Sequence, residues 1–147
     1  MTGERERTQM SEAALQSALI KSLRSAGANV ERFTDMFKAG IPDLIISYGV
    51  FGVWLELKWN PAPDPFKPLL PGNLIKPHQI AWLKAWHLKP LPCAVMVGFP
   101  GGWVLVPISQ IDHLIKQNLA LIYLLVHNTP VSKILPSSLI AAIKREI

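Results

Sequence analysis

Hydrophobic and polar positions along this chain change period several times, and each change marks an element. After a polar stretch over 1–10, Leu15, Leu19 and Leu23 recur at helical spacing, which predicts a helix capped by Ser11 and ended by Gly27. Ala28 to Phe33 reads as a short strand. Asp43 to Ser47 and Val53 to Lys58 are strand-like runs on either side of a turn bounded by Gly49 and Gly52, the pattern of a β-hairpin. Pro77 suits the first turn of a second helix reaching about Leu88, with Gln79, Trp82, Leu83 and Trp86 sharing one face, a stripe read as core. Cys93 to Val97 and Trp103 to Val106 form two further strands around Gly98, Pro100, Gly101 and Gly102. Beyond Pro107, the pattern over Ile108 to Gln117 is helical, Leu119 to Val126 is ambiguous between helix and strand, and Pro136 opens a last helix with Leu139, Ile140 and Ile143 inward.

Two features break this regular pattern. Asn60 to Lys76 carries Pro61, Pro63, Pro65, Pro68 and Pro71, which excludes a helix or central strand and stiffens the segment into extended geometry, as a lid beside a site or as a surface connector. The second break is chemical. Strand residues alternate faces, so Glu56 and Lys58 project with Trp54 while Val53, Leu55, Leu57 and Trp59 line the other side. Asp43 opens the preceding strand, and pairing through the Tyr48 to Gly52 turn brings Asp43, Glu56 and Lys58 to one end of the hairpin. Two carboxylates that close repel each other; one holds a proton unless a divalent cation neutralises them, and hard oxygen ligands suit magnesium. Read singly, Glu56 and Lys58 are an ordinary same-face pair and Asp43 a turn acid.

Pro42-Asp43, twelve intervening residues, and then Glu56-Leu57-Lys58 closely resemble the PD-(D/E)XK nuclease pattern. Within that superfamily, Gly40-Ile41-Pro42-Asp43-Leu44-Ile45 leading into Leu55-Glu56-Leu57-Lys58, with an early helical Glu before and a helical Gln after, resembles the VRR-NUC group. The likeness covers roughly Ser11 to Gly98. It implies an α/β fold: a restriction-endonuclease-like mixed β-sheet core flanked by helices in the order αβββαβ, extended here by a mostly helical C-terminal segment. The expected organisation is a flexible leader over 1–10 and a single nuclease domain over 11–147, its core about 11–107 and its extension 108–147.

The resemblance also implies roles. Asp43 and Glu56 would hold Mg2+, with Mn2+ able to substitute, and the carbonyl of Leu57 would add a ligand. Lys58 would orient the attacking water, acting as a base only if burial lowers its pKa. Glu12 would bind a metal-coordinated water or a second ion, though an acid in a first helical turn is also favourable to the helix dipole alone. Gln79 would approach the scissile phosphate or the metal-bound water. Lys38, Arg32, Lys67 and Lys76 flank the motifs and are the candidate phosphate contacts. Stand-alone members of the group are similar to Holliday junction resolvases and act as homodimers on branched DNA, so the implied activity is an Mg2+-dependent DNA endonuclease selective for junctions or flaps. The alternatives are a nuclease without structural preference and a non-catalytic DNA-binding module on the same fold.

Composition narrows the remaining classes. The chain has 147 residues, half of them hydrophobic, enough for one domain with its own core. A formal net charge of +5 favours a polyanionic partner, nucleic acid being the simplest, without identifying one. Cys93 is the single cysteine, so no internal disulfide or thiolate zinc cluster forms. The N-terminus lacks the apolar block of a secretory signal, and the longest apolar run, Leu119 to Val126, is far too short to span a bilayer. A soluble, cytoplasmic protein is expected. His78, His87, His113 and His127 show no metal-ligand spacing, no glycine-rich phosphate loop or nucleophile-elbow serine is present, and no nucleotide cofactor is implied.

Overall fold

The computed structural model describes residues 11–33, 40–70 and 75–147. In chain order the main elements are α1 (Glu12–Ser25), β1 (Asn29–Arg32), β2 (Leu44–Tyr48), β3 (Phe51–Trp59), α2 (Pro77–Trp86), β4 (Cys93–Phe99), β5 (Gly102–Val106), α3 (Asp112–Ile115) and α4 (Pro136–Glu146). The five strands form one sheet in sequential order, antiparallel throughout except for the parallel β3–β4 pair, which α2 connects. This is the mixed αβββαβ core that the sequence led us to expect, with β5 added at its edge.

Local chemistry explains the boundaries. Ser11 Oγ accepts from the Ala14 N–H at 3.1 Å, capping α1, and Gly27 leaves the helix at φ +94, a conformation that suits glycine. The hairpin turn is tighter than its two glycines imply. Tyr48 pairs with Phe51 and Gly52 with Ser47, so the loop is Gly49-Val50 alone. Only Gly49 of that pair has positive φ (+62), which matches a II′ turn with glycine first. Gly52 is a strand residue; a Cβ there would meet the Leu91 methyls at 3.2 Å.

Apolar residues cover both faces of the sheet. On one side Leu15, Leu19 and Leu23 of α1, with Leu139, Ala142 and Ile143 of α4, pack on Val30, Leu44, Val53, Leu55 and Leu57. On the other, Ile80 and Leu83 of α2, Leu69, Leu70 and Ile75 of the proline-rich segment, and Leu114, Leu119 and Leu121 cover Val95, Val97, Val104 and Val106. The C-terminal extension therefore closes the core on both sides. It does so with short helical turns and irregular chain before α4, and Ala142 is buried where Ile140 was expected. The stripe on α2 also differs. Ile80 and Leu83 face inward, while Trp82 is half-buried and Trp86 half-exposed, stacked on each other at 5.5 Å with Trp82 against Trp54 at 5.2 Å.

The described part of the proline-rich segment is a structural connector. Leu69 N–H donates to the Leu119 carbonyl at 2.7 Å and Ile122 N–H to the Pro65 carbonyl at 3.1 Å. Asn60 anchors its start: the backbone N–H donates to Gly98 O, Nδ2 donates to Leu69 O at 2.6 Å, and Oδ1 accepts from Ala62 N. Asn60 is 7 % exposed, so Asn60→Ala strands a buried carbonyl. We expect a loss of about 1–3 kcal/mol in urea denaturation; an unchanged midpoint would contradict this anchoring role.

Candidate active site

Unequal strand lengths create the site. β2 begins at Leu44, paired with Leu55, whereas β3 continues to Trp59. Alternate β3 amides face β4, as the bonds from Trp54 N–H to Pro92 O and from Asn60 N–H to Gly98 O show. The amides of Leu57 and Trp59 face the other way, into a notch where β2 supplies no carbonyl. Carboxylates fill that role. Asp43 Oδ2 accepts from Leu57 N–H at 2.9 Å, and Glu12 Oε1 accepts from Trp59 N–H at 3.4 Å. A residue in an extended strand points its N–H and C=O to the same edge, so the Leu57 carbonyl faces the notch between these two acids.

One step beyond the Leu44–Leu55 pair, Asp43 stands opposite Glu56. Gly40 permits this placement. It has φ +93, and a Cβ on it would lie 2.7 Å from the His78 carbonyl oxygen in the first turn of α2, so the loop carrying Pro42 and Asp43 sits directly against that helix. Gln79 completes the link. Its Oε1 accepts from the Lys76 N–H at 2.9 Å, half of a capping box, while its Nε2 donates to Glu56 Oε1 at 3.3 Å. The helix start thus orients the carboxyl group.

Glu56 is 2 % exposed and Lys58 8 % exposed, on the same face of β3. Glu56 Oε2 is buried without a hydrogen-bond partner among the described residues. Burial pushes the Glu56 pKa up to about 8 from 4.5; the nearby Asp43 carboxylate adds to the rise, Lys58 opposes it, and the Glu12 charge raises it further. At neutral pH Glu56 therefore holds its proton. Among the described residues Lys58 makes no ion pair with either acid, although its charge acts on Glu56.

The site fits a hard divalent cation. A buried oxygen without a donor, an adjacent carboxylate and a strand carbonyl facing the same notch are oxygen ligands of the kind magnesium takes, with water completing the shell. Among the described residues no group of three or more His, Cys, Asp or Glu has the arrangement of a metal cluster, which leaves Glu12 outside a direct three-carboxylate set.

The structure thus brings Asp43, Glu56, Leu57, Lys58 and Gln79 together, with Glu12 two residues further along β3. Of the described basic candidates, Arg32 and Lys67 lie apart from them, and Lys76 touches the site through its backbone N–H on Gln79. Arg32 lies on the α1 side, its Nη2 donating to Ser17 Oγ at 3.3 Å. Lys67 sits in the Asp64 turn beside the C-terminal extension, and Lys76 is the exposed N-cap of α2. Lys38 lies outside the described residues. Gly40 and the amides of Leu57 and Trp59 were not singled out from sequence. The glycine in Gly-Ile-Pro-Asp was visible there, but its constraint comes from a carbonyl 38 residues later in the chain.

No family model matches the chain, and no curated protein does. Solved structures similar to it include the following two. One is a Holliday junction resolvase, Hjc, from the archaeal hyperthermophile Archaeoglobus fulgidus, with a TM-score of 0.49 and 16% identity over 67% of this chain and 74% of that one. The other is a VRR_NUC domain, with a TM-score of 0.45 and 19% identity over 71% of this chain and 94% of that one. At these scores and identities neither likeness decides what the chain does; that rests on its own side chains. Among the described residues no helix is long and apolar enough to cross a membrane.

Two measurements test the electrostatics. Because the folded Glu56 pKa of about 8 exceeds its value of 4.5 outside the fold, the native state binds more protons between those values, and stability falls as pH rises across that window. Without divalent metal, Glu56→Gln is expected to flatten this decline and to melt above the wild type at about pH 8, since it supplies a neutral side chain in the same shape. A wild-type melting curve independent of pH over that window would overturn the assignment. Gly40→Ala, by contrast, is expected to cost about 1–3 kcal/mol at any pH in this range, from the positive φ and the contact with His78 O.

Proposed function

We propose that the protein is a metal-dependent DNA endonuclease that hydrolyses phosphodiester bonds at the β2–β3 notch. The observation that carries this reading is Glu56: a carboxyl group buried under a helix, with one oxygen unsatisfied, set against a second carboxylate and on the same face as a buried lysine. Such an arrangement is costly in a structural core and useful where a cation binds.

Asp43, Glu56 and the Leu57 carbonyl would hold Mg2+, or Mn2+ in its place. When bound, the ion supplies a nucleophilic water at neutral pH and offsets the charge that develops on the phosphate. Each residue has its own part. Asp43 fixes the end of β3 through Leu57 N–H; Gln79 holds Glu56 Oε1 and leaves Oε2 for the ligand; Lys58 opposes phosphate charge and orients the attacking water. Glu12 sits where it can hold a further water or ion beside Trp59. A net charge of +5 suits the polyanion, with Arg32, Lys38, Lys67 and Lys76 as candidate phosphate contacts. Branched DNA, a four-way junction or flap, is the preferred substrate in this reading, and a homodimer would place two such sites on one junction. The Hjc resolvase is similar in fold, and the chain carries the full Asp43, Glu56, Lys58 set, which binding alone does not require.

The test is cleavage of matched linear, flapped and four-way DNA with Mg2+ or with a chelator. Cleavage is expected only with the metal, and fastest on the branched forms; equal cutting of all three removes the structural preference. Asp43→Asn keeps an acceptor for Leu57 N–H and removes the charge. It is expected to fold as the wild type does yet lose cleavage by about 10²-fold or more, as is Lys58→Ala. Unchanged DNA binding and activity in Asp43→Asn would favour a non-catalytic module. Mg2+ is also expected to raise the melting temperature more at about pH 9 than at about pH 6, since the proton on Glu56 competes with the ion.

A further inference from the structure

Between α1 and the edge strand β1 runs a groove of about 660 Å³ lined by Ser17, Ile20, Lys21, Arg24, Ser25 and Arg32. Its polar residues meet by simple spacing. Ser17, Lys21, Arg24 and Ser25 recur three and four residues apart along α1, so they share one face of the helix. On β1, Val30 is buried under α1, and strand alternation turns Arg32 to that same side and Glu31 to the other. Three cations therefore share a groove that no carboxylate lines among the described residues, and the one acid of α1, Glu12, stands ahead of it.

Both guanidinium groups are held in place. Arg24 Nη2 donates to the Val30 carbonyl at 2.6 Å, and Arg32 Nη2 donates to Ser17 Oγ at 3.3 Å. Each guanidinium has further N–H donors to give. Lys21, Arg24 and Arg32 make no ion pair among the described residues. Like charges gathered without a counter-charge repel one another, and an anion along the groove would relieve them. The two elements that build the groove also touch the candidate active site. Arg32 pairs with Leu44 and Phe33 N–H donates to the Asp43 carbonyl at 2.9 Å, so β1 ends beside the loop that carries Asp43, while α1 begins with Glu12 on the Trp59 N–H.

We propose that this groove holds consecutive backbone phosphates of the DNA, with Lys21, Arg24 and Arg32 as the contacts. The inference takes DNA from the nuclease reading and goes further by giving the arm beside the cut a place on the protein. Guanidinium groups bind phosphate oxygens through paired N–H donors, and the serine hydroxyls add neutral ones. From Ser17 to Ser25 the helix advances about 12 Å, the length over which a DNA strand presents about three phosphates at about 3.4 Å of axis each. Such contacts position the backbone without reading sequence.

The test uses binding, not cleavage. Full-length protein in chelator is titrated with a fluorescent flapped duplex at salt concentrations between about 50 and 200 mM, and the slope of log affinity against log salt is recorded. Lys21→Gln is expected to reduce that slope by about one, and the triple variant Lys21→Gln, Arg24→Gln, Arg32→Gln by about three, with affinity at the low-salt end falling about tenfold or more in the triple. Lys21 is exposed and its side chain makes no hydrogen bond among the described residues, so Lys21→Gln is expected to keep the wild-type circular dichroism spectrum and melting temperature. Lys116→Gln removes the same charge from an exposed position on the C-terminal extension and is expected to keep the wild-type slope. A slope unchanged in Lys21→Gln and in the triple variant overturns the proposal, as does an equal fall in Lys116→Gln, which would make net charge alone responsible. Failure of the nuclease reading appears separately, as absence of Mg2+-dependent cleavage by protein whose DNA binding keeps this salt dependence.

Discussion

A β-strand that outruns its neighbour leaves amide groups without carbonyls, and an amide away from water must find an acceptor. β3 outruns β2 by the residues from Glu56 to Trp59, and two carboxylates, drawn from a loop and a helix N-terminus, accept the hydrogen bonds that a longer β2 would have taken. This one mismatch lines Asp43, the Leu57 carbonyl and Glu12 along the same free edge of β3. It also makes the acids structural, so their positions are held by the sheet without any ligand.

Glu56 turns that arrangement into a site. Its side chain is placed on the face covered by α2, and Gln79 ties it to the same helix turn against which Gly40 packs. Burial beside Asp43 leaves it protonated near neutrality, and Lys58 only partly offsets this. A divalent cation bound there would relieve both costs at once, the desolvated carboxylate and the repulsion between the acids. The fold therefore stores an unfavourable electrostatic arrangement that such an ion would reverse.

Sequence revealed the convergence of Asp43, Glu56 and Lys58 because it depends on local rules: alternation along a strand and pairing through a short turn. The assignment of Trp54, Glu56 and Lys58 to one face and of Val53, Leu55 and Leu57 to the other follows from the same period. What stayed hidden depends on distant chain. The depth of Glu56 comes with the docking of α2, whose Gln79 donates to it from 23 residues away in the sequence. Gln79 was found as the head of a helical stripe, yet its bond to Glu56 depends on how α2 docks. That docking also turned the stripe: Ile80 and Leu83 went inward and the tryptophans became a ladder against Trp54. Arg32 and Lys67, chosen for their nearness in sequence, lie apart from the acids because charge carries no period that predicts a face.

The most direct measurement of the central claim is anomalous diffraction from crystals of the protein grown with Mn2+. An ordered ion bound by Asp43, Glu56 and the Leu57 carbonyl is the predicted result. A structure in which the ion is ordered elsewhere, away from Asp43 and Glu56, would contradict it.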